Sequence, residues 1–227
     1  MNAVSNIWNG LDWSVLTGIL MGIIPSLICI TLHEISHGYV AYLLGDDTAK
    51  RAGRLSLNPI RHIDWYGLAM MVLFRFGWAK PVPVNMYRFK NPKRGMAITA
   101  LVGPVSNVVI TVICLFLYGL LYRPLLAGGS SAGTIVIELI IRTAQLSLAL
   151  AIFNFIPISP LDGSKVLFSF LSDEAYEKLM RYERYGMIVL MLLVVTGATS
   201  GFLSTVTGWA YEKLFFIAEF AFRMVNH

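Results

Sequence analysis

The chain has 227 residues, of which 56% are hydrophobic and 14% charged, against about 45–50% and 25% in ordinary soluble domains. The apolar residues are bundled into runs of about 18 or more, the length that crosses a bilayer as a helix, so the balance excludes a soluble globular domain. The net charge of +5 does not call for a nucleic-acid partner, because membrane proteins collect Lys and Arg in their cytoplasmic loops.

The expected fold is an all-α polytopic membrane protein, with residues 1–227 forming a single integral membrane domain. Its core is residues 13–170, followed by C-terminal helices over 172–227. The N-terminal MNAVSNIWNGLDWS carries no Lys or Arg before its apolar stretch and no small-residue cleavage site after it, so the first helix is expected to stay. It spans from about Trp13 to Leu44, interrupted only by His33, Glu34 and His37, and Gly45-Asp46-Asp47 closes it. The apolar piece Tyr66 to Phe74 is too short to span and reads as re-entrant or interfacial.

In GWAKPVPVN at 77–85, the prolines favour extended geometry. Pro81 and Pro83 remove donors from one side of a strand and leave the amides of Val82 and Val84 on the other, which predicts an edge strand or hairpin around residues 66–90. The next spans are Met96 to Tyr122, which contains GPVSN at 103–107, and Thr134 to Phe155, which breaks in NFIPISPLDG at 154–163. The mixed-charge segment 172–186 predicts a solvated surface helix. Met187 to about Leu203 predicts a fourth span, and Trp209 to Val225, with its four charges, either crosses or lies on the interface. Cys29 and Cys114 both lie inside apolar runs and predict no disulfide. Trp8, Trp13, Trp65, Trp78 and Trp209 fall at run ends, as interfacial anchors do.

Loop charge sets the expected orientation. Residues 46–95 hold ten Lys/Arg and three Asp, whereas the segment 123–133 offers only Arg123, which predicts 46–95 on the cytoplasmic side of the cell membrane. His33 and His37 and the break at Pro157 to Asp162 then reach the same depth, toward the cytoplasm. Two polar sites distant in sequence converge.

HEISH at 33–37 carries the chemistry. Two histidines four apart on a helix point from one face and can hold one Zn²⁺, with Glu34 beside the metal's water. At this chain's own His and Glu frequencies the pattern arises by chance in roughly one sequence in 500. Ionisable residues inside a span cost several kcal/mol unless paired or ligating, which argues against an idle polar face. A catalytic zinc takes three protein ligands; Asp162 is the leading candidate for the third, with His62 and Asp64 as alternatives, while Glu138 lies toward the opposite side. Glu138 and Arg142, four apart, predict an ion pair on a helix face. Asn58 and His62 read as a turn, with support of a ligand imidazole as the alternative.

Together, HEISH at 33–37, GPVSN at 103–107 and NFIPISPLDG at 154–163 resemble the site-2 family of intramembrane zinc metalloproteases, and GWAKPVPVN at 77–85 looks like a stretch of its compact bacterial members, without appended soluble domains. The resemblance covers about residues 20–170. It implies that His33, His37 and Asp162 bind one zinc, that Glu34 is the acid/base, and that Asn154 stabilises the oxyanion. It also implies that Gly103 and Asn107 shape the core around the site. Val82, Val84 and Asn107 form the expected substrate-binding set, the two valines by strand addition to an extended substrate.

The expected function is hydrolysis of a peptide bond within or near the transmembrane segment of a membrane protein or a remnant signal peptide. The rival from another class is a metal or proton transporter that uses the same residues. Transport predicts polar residues through both leaflets, and Leu16 to Ile30 is nearly all apolar. Haem ligation by His33 would need a partner imidazole, and no other expected span holds a His.

Overall fold

The computed structural model describes residues 13–67, 70 and 78–225. The chain runs α1 (Trp13–Leu43), α2 (Thr48–Arg51), 3-10 turns at Pro59–His62 and Met86–Arg88, α3 (Pro92–Leu126), α4 (Ser131–Phe155), α5 (Asp162–Phe168), α6 (Asp173–Arg181), α7 (Glu183–Val195), α8 (Ser200–Leu214) and α9 (Phe216–Val225). The described residues are helical apart from these connections, and the architecture is that of an all-α membrane protein.

Three of these helices are long and apolar enough to cross a membrane, those covering Thr17–Leu43, Pro92–Leu126 and Ser131–Phe155. They pack on one another as a three-helix core. On α3 the division of faces is plain in the sequence. Leu101, Val105, Val109, Ile113 and Leu117 recur at every fourth position and are exposed, an apolar stripe of the kind that lipid covers. Thr99, Gly103, Asn107 and Thr111 recur at the same interval and are buried. That second stripe faces the protein, and its small and hydroxylated residues let the backbones approach closely. The Thr111 hydroxyl donates to Ala144 O on α4 at 3.2 Å, and the Ser147 hydroxyl of α4 donates to Asn107 O at 2.8 Å.

Local chemistry fixes the ends. Asn91 caps α3 by accepting the Arg94 amide, and Pro92 stands at the first helical position, where no amide partner is needed. Ser172 caps α6 in the same way by accepting from Ala175. The α4 helix stops at Phe155 because Pro157 and Pro160 cannot continue it. The short helix α5 then packs against α3.

The sequence reading needs two changes here. The run Met187 to Leu203 does not form one continuous span: α7 ends at Val195, Gly197 takes φ +72°, and the helix that follows departs at 82°. Positive φ costs a glycine little, so the chain turns where hydropathy alone sees no break. Segments 185–195 and 200–225 form a bent pair, with α9 laid along α3 and α8 against α4. The expected edge strand is extended chain rather than a strand. One isolated antiparallel bridge joins Ile63 and Ala79, with Lys80 N donating to His62 O beside it, while the amides of Val82 and Asn85 go to side chains. The re-entrant piece Tyr66 to Phe74 lies largely outside the described residues, as does Trp8.

Candidate metal centre

His33 and His37 lie one turn apart in the last third of α1, and Asp162 opens α5. All three are buried, at 8%, 9% and 8% exposure. Nε2 of His33 and Nε2 of His37 are 3.0 Å apart, and each is 3.2 Å from Oδ2 of Asp162. Tetrahedral bonds of about 2.0–2.1 Å to a common metal would put ligand atoms about 3.3 Å apart, so the triangle has the size of a zinc site. Asp162 Oδ2 is buried and without a hydrogen-bond partner, an arrangement that a cation between the three atoms would satisfy.

The ring nitrogens facing away from the triangle are held by α3. His37 Nδ1–H donates to the Thr99 carbonyl at 2.7 Å, which leaves Nε2 bare for a metal. The Asn107 amide lies 3.3 Å from His33 Nδ1. Turned so that Oδ1 faces the ring, it accepts Nδ1–H and leaves the second Nε2 bare as well. Between these two supports sits Gly103, where any Cβ would overlap both imidazole rings. Thr99, Gly103 and Asn107 are therefore one buried stripe of α3 fitted to the two histidines. Asn107, expected among the substrate-binding residues, is fully buried with its side-chain amide beside His33.

Glu34 points toward the extended segment. Its Oε2 accepts the Val82 amide at 2.7 Å, and the Val82 side chain is buried close to Gly38 of α1. Of the two amides that the proline pattern leaves available, Val82 is thus already bound, while the Val84 amide has no partner among the described residues. The segment is pinned along its length. Lys80 N donates to His62 O at 2.9 Å, and Asn85 N donates to Asp46 Oδ2 at 2.6 Å.

Asp46 is fully buried and also accepts the amide and hydroxyl of Thr48 through Oδ1, while Arg88 pairs with Asp47. Gly45-Asp46-Asp47 thus does more than stop the helix, the role that its sequence alone suggests. A buried-acid role is not visible in a Gly-Asp-Asp string, whereas the interval of four from Thr99 to Gly103 to Asn107 did offer a signal for Thr99.

Asn154 lies on the last turn of α4, eight residues before Asp162, and its Nδ2–H donates to Leu150 O at 2.9 Å. In this conformation the amide is spent within its own helix. His62 is buried with its Nε2–H on the Ser56 carbonyl at 2.9 Å, and Asn58 caps the 3-10 turn by accepting Ile60 N. The turn reading of both stands. Neither His62 nor Asp64 joins the group formed by His33, His37 and Asp162. Glu138 accepts from Arg142 Nη2 at 2.6 Å, the pair expected from their spacing.

Known proteins resemble the chain along most of its length. Residues 125–197, which include Asn154 and Asp162, match the model of "Peptidase family M50". The chain is 38% identical over 174 residues to a Bacillus subtilis protein named "Putative zinc metalloprotease YwhC", covering 77% of this chain and 80% of that one. It is 25% identical over 190 residues to "Putative zinc metalloprotease Rip2" of Mycolicibacterium smegmatis, covering 82% and 71%. A Methanocaldococcus jannaschii protein, "Putative zinc metalloprotease MJ0611", is 29% identical over 141 residues, or 60% of this chain and 62% of that one. No solved structure matches. With a relative this similar along four fifths of its length, and with a buried His-His-Asp triangle beside a glutamate, the chain belongs to peptidase family M50.

Proposed function

We propose that this M50 metallopeptidase is a multi-pass intramembrane zinc endopeptidase that cuts within or near the transmembrane segment of a membrane protein or remnant signal peptide. The observation that carries the reading is the triangle of buried donor atoms, 3.0–3.2 Å apart, one residue from Glu34 and set in the inner third of an apolar helix long enough to span. His33, His37 and Asp162 are the zinc ligands in this reading. The active site faces the cytoplasm, on the side of the basic loop 46–95. Residues 1–227 act as one integral membrane domain.

When bound there, zinc lowers the pKa of a water to near 7 and polarises the scissile carbonyl. Glu34, with Oε2 fixed by the Val82 amide, takes the proton of the attacking water and returns it to the leaving amine. Asn154, once its amide leaves Leu150 O, donates to the developing oxyanion. A helical substrate hides its carbonyls in its own hydrogen bonds and must unwind locally. The Val84 amide, the free donor of the proline-flanked segment, holds the unwound chain by main-chain pairing.

The test uses a single-span fluorescent substrate in proteoliposomes, with its cleavage products mapped by mass spectrometry. Cuts within or close to the span, increased by helix-breaking residues near the cut, are the expected outcome. Vesicle metal or proton uptake without cleavage would replace the protease by the transporter.

A further inference from the structure

Away from the metal centre, one charged group has no account. Arg54 is 7% exposed, and the one hydrogen bond that its guanidinium makes among the described residues runs from Nη2 to the Lys80 carbonyl at 2.6 Å. Its Nε is buried without a partner. Arg54 lines an open pocket of about 480 Å³ together with Arg61, Lys80, Asp64, Trp65 and Tyr66. Among the described residues no carboxylate oxygen lies within 4.0 Å of Arg54, Arg61 or Lys80. The one acid of the lining, Asp64, uses Oδ1 to accept the amides of Tyr66 and Gly67, both at 2.9 Å. The neighbouring stretch 68–77 contains no Asp or Glu in its sequence.

A guanidinium nine-tenths withdrawn from water with no counter-ion is costly, and buried charges are normally paired. Three cations against one engaged carboxylate leave the pocket short of negative charge. The planar fork of an arginine suits phosphate oxygens, which accept from several N–H groups at once. Arg61 already directs Nη1 to the Gly53 carbonyl at 2.6 Å and is held in place at the pocket wall. The rim shows where such a phosphate would come from. Ile60, Trp65 and Tyr66, which line the pocket, are 66%, 70% and 81% exposed. Aliphatic side chains with Trp and Tyr around basic groups are the composition of a surface seated at the headgroup level of a bilayer.

We propose that Arg54, Arg61 and Lys80 form a binding site for a phosphate group, presented by the headgroup of an anionic phospholipid. The rim enters the interface and the phosphodiester neutralises the buried guanidinium.

The experiment counts bound lipid by native mass spectrometry on the full chain in mild detergent, titrated with phosphatidylglycerol or with phosphatidylcholine. The proposal expects at least one phosphatidylglycerol retained per chain and no comparable phosphatidylcholine. Retention falls by tenfold or more in the double variant Arg61→Gln, Lys80→Gln, neither of which removes the Arg54 bond to the backbone. The control Lys90→Gln, Arg94→Gln removes as much charge from the same loop and leaves retention unchanged. Equal retention in wild type and the pocket variant, or an equal fall in the control, overturns the site. A parallel titration with inorganic phosphate separates the sources: free phosphate lost with the pocket variant, in a chain that retains no phosphatidylglycerol, keeps the phosphate site and overturns the lipid as its occupant.

Discussion

Glu34 and Val82 are joined by a hydrogen bond of 2.7 Å from the Val82 amide to the Glu34 carboxylate, across 48 residues of sequence. The proline on each side of Val82 cannot donate, so this amide is the one donor that residues 81–83 have. A carboxylate that must accept and return a proton benefits from having one oxygen fixed and the other free.

Removing that donor tests the link. A hydrogen bond to a charged group contributes about 1.5–3 kcal/mol, so Val82→Pro is expected to lower kcat by about 10–100-fold with zinc content unchanged. Val82→Ala keeps the amide and is expected to fall less. Steady-state kinetics and metal analysis on the two variants check this, and an unchanged kcat in Val82→Pro would remove the positioning role.

Gly103→Ala puts a methyl group where the rings of His33 and His37 stand. Either the imidazoles or α3 must shift, and the expected result is loss of zinc binding by at least tenfold, in the range found for altered ligand supports. Zinc retained at wild-type affinity in a folded Gly103→Ala would show that the close approach of α3 is not required.

Asn107→Ala removes the amide from His33 Nδ1. We expect zinc affinity to fall about 10–100-fold, measured by competition with a chelator of known affinity. Asn107→Asp restores an acceptor to the ring and is expected to recover most of the loss, which a role in mere packing would not produce.

Asp46 ties the end of α1 to the segment that carries Val82. Asp46→Ala leaves the amides of Thr48 and Asn85 without their acceptor, at a cost of about 1–3 kcal/mol. Amide hydrogen exchange over residues 80–88 is expected to accelerate, with a smaller change in α3 and α4. Unchanged exchange there would mean that the tie does not hold the segment.

Much of this was legible in the sequence, for physical reasons that differ between elements. The helix carrying His33 and His37 could be read because apolar length and the i, i+4 interval are local properties. The meeting of that helix with Asp162 followed from loop charge, a global constraint that acts on every span at once.

What stayed hidden depends on contacts between distant segments. Residues 80–85 read as a strand seeking a strand, yet their amides go to the side chains of Glu34 and Asp46 and the carbonyl of His62, and no periodicity encodes that. Asn107 is a polar residue in a span, and nothing local says whether it faces a substrate or an imidazole. The bend at Gly197 is hidden within an apolar run because glycine is as compatible with a membrane helix as with a turn.

The most direct measurement is bound zinc together with cleavage of a transmembrane model substrate, compared across wild type, Glu34→Gln and Asp162→Ala. The account predicts about one zinc per chain in wild type, zinc retained but cleavage abolished in Glu34→Gln, and both lost in Asp162→Ala. Cleavage that survives Glu34→Gln, or full zinc occupancy in Asp162→Ala, would contradict it.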